Sequence, residues 1–327
     1  MRLLKQVHWG MIGCGDVTEK KSGPAFSKIE NSRLLAVMSR TAEKVEDYAR
    51  RHGIPEWYTN GDDLLQDSQV NAIYIATPPD SHLYYTCKAA QTGKAVYVEK
   101  PMARNQKECQ DMIRVCQEAG VPLYVAYYRR RLPKFMKVKE LLDSGKIGDV
   151  RAVTVTLLLP PRLADLDREA LPWRVIPEIA GGGYFIDLAS HQLDLLDYLL
   201  GPVAEASGDK TNQAGWYPAE DAVSARFRFQ NGILGSGLWC FTVSRDNQID
   251  RMEIIGSTGT ISFSCFDPSA IKVLSNKIKQ EFVLPWPEHV QLPLIQTVVD
   301  ALRGEGECPS TAESAARTTR VMDAILT

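Results

Sequence analysis

The chain has 327 residues, enough for about two domains of ordinary size, and its 44% hydrophobic and 24% charged content is that of a globular protein with large cores. With 38 basic and 40 acidic residues the net charge is -2, so there is no electrostatic case for nucleic acid or an anionic membrane, and the expected partner is a small molecule. Seven cysteines without a Cys-x-x-Cys pair and five histidines without zinc-ligand spacing predict reduced thiols, no metal and, with no ~20-residue apolar run or cleavable leader, a cytoplasmic protein.

Residues 7–14 (VHWGMIGC) form an apolar run that ends in glycines, and a helix can start at Asp16. Strand, glycine turn and helix is the arrangement in which backbone N–H groups receive a pyrophosphate, so Gly13, Gly15, Asp16 and Val17 are the candidates for that contact. Thr18 stands where the fingerprint has its third glycine. Residues 33–39 read as a second strand, 41–52 as a helix and 70–77 (VNAIYIAT) as a third strand. Then come a helix at 81–92, a strand at 95–98, a helix at 106–118 and a strand at 122–126. Strands that are almost continuously apolar and alternate with helices predict a doubly wound parallel sheet over residues 1–124, an α/β nucleotide-binding domain.

The second strand ends in Ser39-Arg40-Thr41, where NAD-selective sites place an acid roughly 20 residues after the glycines. An Arg flanked by hydroxyls suits a 2′-phosphate, so Ser39 and Arg40 predict NADP; the alternative is NAD with Glu43 on the ribose. Two further loops leave the carboxyl ends of strands, where ligands sit in such sheets: Thr77-Pro78 with His82, and Glu99-Lys100-Pro101.

In the second half, the basic cluster at 127–131 (YYRRR) is expected to send one or two arginines to close the site. A helix is predicted at 134–144, a strand at 150–159, and an irregular segment at 160–177 that carries Trp173 and Arg174. Residues 181–201 (GGGYFIDLASHQLDLLDYLLG) then predict a glycine-led helix ended by Gly201. At about 100° per residue, Asp187, His191, Asp194 and Tyr198 fall on one line and the leucines on another arc. A histidine with a carboxylate one turn away can exchange a proton near neutrality. Strand candidates follow at 223–229, 233–243, 251–255 and 260–265, with a hairpin signal at Asn231-Gly232. Helices are expected at 289–302 and 312–326, the latter opened by a capping box from Ser310 to Glu313.

Glu99-Lys100-Pro101, joined to Gly-Gly-Gly-x-x-x-Asp-x-x-x-His-x-x-Asp at 181–194, resembles the glucose–fructose oxidoreductase, inositol dehydrogenase and MocA family. The glycine turn at 13–15, the Thr77-Pro78 loop with His82, Trp173-Arg174 and the turn at 256–260 (GSTGT) extend the resemblance over the whole chain. It implies a Rossmann domain at 1–124 and, at 125–327, an α+β domain for substrate binding and oligomerisation, with a large open, mostly antiparallel sheet. In such proteins the lysine meets the histidine and aspartates at the nicotinamide. Lys100, Asp187 and His191 are thereby expected to be catalytic, Asp194 and Tyr198 to bind substrate, and Trp173, Arg174, Thr77, Pro78, His82 and Glu99 to serve the cofactor. The Lys100–Pro101 bond is often cis in that family.

The implied reaction is hydride transfer between NADP or NAD and a carbinol or carbonyl carbon of a sugar, polyol or related molecule, by a homodimer or homotetramer that associates through the second sheet. Two other classes share the fold: a glycosidase that oxidises its substrate transiently with bound NAD, and a non-catalytic dinucleotide sensor. Retention of Lys100, Asp187 and His191 argues against the sensor.

Overall fold

A strand that lies inside a parallel sheet covered on both faces must be apolar on both sides, and Val7–Ile12 (β1) is: only His8 in it escapes full burial. The computed structural model describes residues 3–327 and divides into two compact units, one running to Tyr128 and resuming at Pro287–Ala316, the other comprising Arg129–Trp286 and Arg317–Thr327.

In the first unit β1 is followed by Asp16–Lys20 (α1), Ser32–Met38 (β2), Ala42–His52 (α2), Glu56–Tyr58 (β3), Gly61–Gln66 (α3), Ala72–Ile75 (β4), His82–Gln91 (α4), Ala95–Val98 (β5), Gln106–Glu118 (α5) and Leu123–Val125 (β6). The strands form one parallel sheet in the order β3-β2-β1-β4-β5-β6, the doubly wound topology expected. Its helices stop and start where local chemistry demands. Gly53 ends α2 in the left-handed region at φ 63°, and Asn105 caps α5 by accepting the Glu108 N–H. Trp9, Phe26, Tyr74 and Tyr97 pack as one aromatic cluster on a face of the sheet. Each is at most 0% exposed, and burial of such a side chain contributes about 1.5–3 kcal/mol. Strand β3 and helix α3 were not anticipated, because Glu56 and Trp57 are exposed and leave no apolar run.

The second unit contains Pro133–Asp143 (α6), Val150–Leu158 (β7), Pro177–Ala180 (α7), a π turn at Phe185–Ala189, and Ser190–Leu200 (α8). Then follow Val203–Thr211 (β8), Ala222–Phe229 (β9), Leu234–Cys240 (β10), Ile249–Gly256 (β11), Gly259–Phe263 (β12), Ile271–Ser275 (β13) and Ile278–Phe282 (β14). These strands make an eight-stranded sheet, β14-β13-β12-β11-β7-β10-β9-β8, antiparallel except where β7 and β10 run parallel. Strand β9 falls on the candidate at 223–229 and alternates, with Phe227 and Phe229 buried and Ser224, Arg226 and Arg228 exposed; Gly232 turns the hairpin into β10 at φ 88°. Strands β8, β13 and β14 went unread because charged and small residues interrupt them.

The boundary expected at 124 is corrected by the chain's return. Leu292–Arg303 (α9) belongs to the first unit, where Gln291 donates to Glu99 Oε1 at 2.6 Å and accepts from Tyr97 at 3.2 Å. Ala312–Leu326 (α10) begins there too. The capping box assigned to Ser310 is also corrected: its hydroxyl donates to Val125 O at 2.7 Å, tying the segment to β6, and Thr311 accepts the Ser314 N–H in its place. Among the described residues, no helix is long and apolar enough to cross a membrane.

Candidate active site

The first unit presents its candidates on four loops at the carboxyl ends of strands. Gly13, after β1, has φ 107°, and a Cβ there would lie 2.8 Å from Ala76 O; it must be glycine because the Thr77 loop passes so close. Gly15 differs. Nothing lies within 4 Å of where its Cβ would be, so the protein's own packing does not require a glycine, and the open space suits a pyrophosphate passing over the turn. Thr18 is fully buried with its hydroxyl on Gly15 O at 2.7 Å, so the missing glycine is accommodated. The tight approach behind the turn is made by Gly23 instead, whose Cβ would meet Thr18 O and Tyr48 Oη at 2.3 Å. Asp16 is exposed and Val17 half-buried beside this opening. Ser39 and Arg40 follow β2, Ser39 half-buried with its N–H on Tyr58 O and Arg40 exposed. These features fit a dinucleotide.

Thr77 and Pro78 are half-buried, and the Thr77 hydroxyl accepts from Ser81 at 2.7 Å. His82 is fully buried and links two loops: Nε2 lies 2.8 Å from Thr77 O, and Nδ1 lies 3.2 Å from both Pro101 O and Met102 O. Burial lowers its pKa, against the pull of those carbonyls. Lys100 is half-buried at the end of β5 and its bond to Pro101 is cis. Glu99 is 6% exposed, accepting from Tyr74 and Gln291 at 2.6 Å and from the Lys100 N–H at 3.2 Å. The Glu99 and His82 side chains, both expected at the cofactor, thus turn inward and brace the loop that carries Lys100.

The second unit presents its candidates on the π turn and α8. The Gly-Gly-Gly lead-in has a local cause. Gly181 closes α7 at φ 84°, a Cβ on Gly182 would lie 2.6 Å from Ile186, and one on Gly183 would lie 2.8 Å from Ala219 and 2.9 Å from Glu220 O. The Gly183 N–H donates to Glu220 at 2.8 Å. The backbone passes close to this unit's own chain, which by itself accounts for the three glycines.

Helix α8 is buried on almost every side, not amphipathic with a solvated strip. His191 is 4% exposed and its ring meets the Phe266 ring edge-on at 6.1 Å. Asp187 lies within the π turn, 8% exposed, in an ion pair with Arg174 Nε at 3.2 Å. Arg174, expected at the cofactor, also stacks on Trp173 at 4.5 Å. Asp194, expected to bind substrate, is 1% exposed and holds Arg130 by two bonds of 2.9 and 2.7 Å. Asp197 accepts from Arg317 at 2.7 and 2.9 Å and lies 3.4 Å from Arg130. Burial raises Asp194 to about 6 in spite of Arg130. Tyr198 is half-buried, its ring under the Arg130 guanidinium at 5.5 Å.

Sequence reasoning missed Phe266 and the buried roles of Arg129 and Arg130. The cluster at 127–131 was expected to send one or two arginines to close the site, but these two are each 3% exposed; Arg129 donates to Cys265 O at 2.9 Å and covers Phe266 at 4.6 Å. Nothing local announces an ion pair between positions 130 and 194, although adjacent arginines in an apolar context were a signal of buried carboxylates elsewhere.

Both units are matched by models of known protein families. The model of an oxidoreductase family with an NAD-binding Rossmann fold matches residues 7–127, and the model of the GFO/IDH/MocA C-terminal domain matches residues 135–262. Oxidoreductase P35 of Formosa agariphila is 42% identical over 97% of this chain and 98% of its own. The 1,5-anhydro-D-fructose reductase of Ensifer adhaerens is 29% identical over 77% of this chain and 74% of its own. Levoglucosan dehydrogenase, solved with NADH and levoglucosan, superposes with a TM-score of 0.88 over 98% of this chain and 96% of that one at 22% identity, a likeness of fold. The chain belongs to the Gfo/Idh/MocA family of NAD(P)-dependent oxidoreductases, as its loops and its α8 helix foretold.

Proposed function

We propose that the enzyme transfers hydride reversibly between a nicotinamide and a carbinol carbon of a sugar, polyol or related small molecule, with NADP preferred. What supports this reading is the placement of Asp187 in the π turn and of His191 four residues on, at the start of an otherwise ion-locked helix, both almost fully buried, in a chain whose relatives are named as sugar reductases and dehydrogenases. The dinucleotide, when bound, supplies the hydride acceptor or donor. Gly13, Gly15, Asp16 and Val17 would hold its phosphates, with Ser39 and Arg40 at the ribose and Thr77 and Pro78 beside the turn. Trp173, half-buried on its own turn, is a further candidate for the cofactor.

As hydride leaves carbon, the hydroxyl proton passes to His191, which returns it in the reducing direction; a positioned acid–base group typically contributes about 10²–10⁴ in rate. Lys100 donates to the reacting oxygen and stabilises its developing negative charge, an effect worth about 10²–10³. Asp187, four residues earlier, orients the imidazole. Asp194 acts differently from the sequence expectation: its carboxylate fixes α8 through Arg130, and Tyr198 remains the candidate for a substrate hydroxyl.

Leu234, Ile255 and Leu274 stand in one row across the open face of the second sheet, paired through Ala152 and Thr260, and are 60%, 37% and 45% exposed. An apolar row there suits a second copy of the chain, so the proposed assembly is a homodimer or homotetramer. The test of function is a screen of sugars, inositols and ketoses with NAD and NADP in parallel, read by nicotinamide absorbance. Turnover that His191→Asn and Lys100→Met both retain would refute the assignment.

A further inference from the structure

Residues 160–177 join β7 to α7 with little regular structure, and Leu163 and Leu166 point outward at 84% and 50% exposure. Such a segment is ordinarily free to move. One residue within it is not: Asp165 is 0% exposed. Its Oδ1 accepts the Tyr184 hydroxyl at 2.5 Å, and its Oδ2 accepts the Arg162 backbone N–H at 2.8 Å. The Tyr184 ring is enclosed in turn by Tyr217 at 6.0 Å, Phe241 at 5.6 Å and the Arg162 guanidinium at 4.5 Å. Burial, reinforced by the bond to Asp165, keeps the phenol protonated and donating.

The same segment makes a second polar contact through Arg174, to Asp187. Tyr184 is the residue immediately before the π turn and Asp187 is the third residue in it. One loop therefore grips one turn at two points, three positions apart. A π turn holds an extra residue relative to an α-helix and is rare because it is locally unfavourable. Collapse to α would rotate everything ahead of His191 by about one residue, roughly 100°.

We infer that Asp165 and Tyr184 are a positioning pair: by pinning the head of the π turn they set the direction of Asp187 relative to His191 and join that direction to the conformation of residues 160–177. This rests on the reading of Asp187 and His191 as the acid–base pair. Neither Asp165 nor Tyr184 needs to touch substrate. A ligand that orders the loop would thereby order the proton-transfer pair.

The test compares the full-length wild type with Tyr184→Phe, Asp165→Asn, Asp165→Glu and His191→Asn. Tyr184→Phe keeps the ring and removes only the hydroxyl. Kinetics with 1,5-anhydro-D-fructose and NADPH, and with levoglucosan and NAD, should show kcat lowered about tenfold or more in Tyr184→Phe and Asp165→Asn, with Asp165→Glu partly restored. Two readouts need no turnover. Hydrogen exchange over residues 160–177 should quicken in Tyr184→Phe, and the His191 imidazole NMR signals, assigned by their loss in His191→Asn, should move. Unchanged exchange and unchanged imidazole signals in Tyr184→Phe would overturn the inference, as would a fall in thermal stability alone. Full activity of His191→Asn would instead overturn the acid–base reading, with the imidazole signals still deciding whether the pair positions that ring.

Discussion

The two units hold their candidate groups by opposite means. In the first, loops at strand ends are shaped by backbone constraint: Gly13 in a conformation closed to other residues, and Lys100 set between a buried Glu99 and a proline. In the second, a helix is immobilised by buried charge, with Asp194 and Asp197 held by Arg130 and Arg317. Backbone constraint is local, so a substitution there changes ligand binding first. Buried charge is a network, so removal of one member should unsettle the whole element.

The largest effect is therefore expected at Arg130. Its replacement by Met leaves Asp194 and Asp197 buried with less compensation and should destabilise the second unit by about 3–5 kcal/mol, seen as a lowered midpoint in urea. A loss below about 1 kcal/mol, the scale of a surface pair, would put the helix's stability elsewhere. In the first unit Arg40→Ala should spare the fold and raise the KM for NADP about 10–100-fold, the equivalent of a charge-assisted bond worth about 1.5–3 kcal/mol, with NAD unaffected. Equal effects on both cofactors would remove the argument for NADP.

A glycine pair sharpens the contrast within that unit. Gly13→Ala forces strain of about 1–3 kcal/mol and should lower both stability and dinucleotide affinity. Gly15→Ala puts its methyl into open space, so stability should hold while affinity for NADP in a titration falls. If Gly15→Ala binds as well as wild type, the dinucleotide does not cross that turn.

The smallest effects are in pH dependence, and their signs oppose. His82 has a folded pKa below its ordinary 6.5, so its contribution is present above 6.5 and is lost as pH falls. Asp194 rises from 3.8 to about 6, so its contribution is present below 3.8 and is lost as pH rises through 6. Acidification from neutrality should narrow the stability gap between wild type and His82→Gln in urea unfolding and widen the gap between wild type and Asp194→Asn. The same slope in both would contradict these environments.

The parallel sheet was legible because buried strands such as Ala72–Ile75 and Ala95–Val98 are apolar on both faces, and the loops because Gly, Pro and Lys punctuate their ends. Strands β8 and β14 were not, since Asp209, Lys210, Lys279 and Glu281 mask an edge whose pairing supplies its order. In the site, the spacing of His191, Asp194 and Tyr198 was readable as one helical line, but its meaning was not. A periodic polar strip looks the same whether water or a distant arginine satisfies it, and Arg130 is brought to Asp194 by the fold. The π turn at Asp187 escaped for a related reason: a fixed rotation per residue assumes a regular helix, and what holds this one open, Asp165 against Tyr184, comes from another segment.

The central claim is that His191 moves the proton while hydride moves to or from the nicotinamide. Its most direct test is the pH dependence of kcat/KM for wild type and His191→Asn on the best substrate of the screen. The account predicts that the wild type shows a limb from one ionisation, and that the variant loses it along with about 10²–10⁴ in rate. A variant that keeps that limb and turns over at the wild-type rate would contradict it.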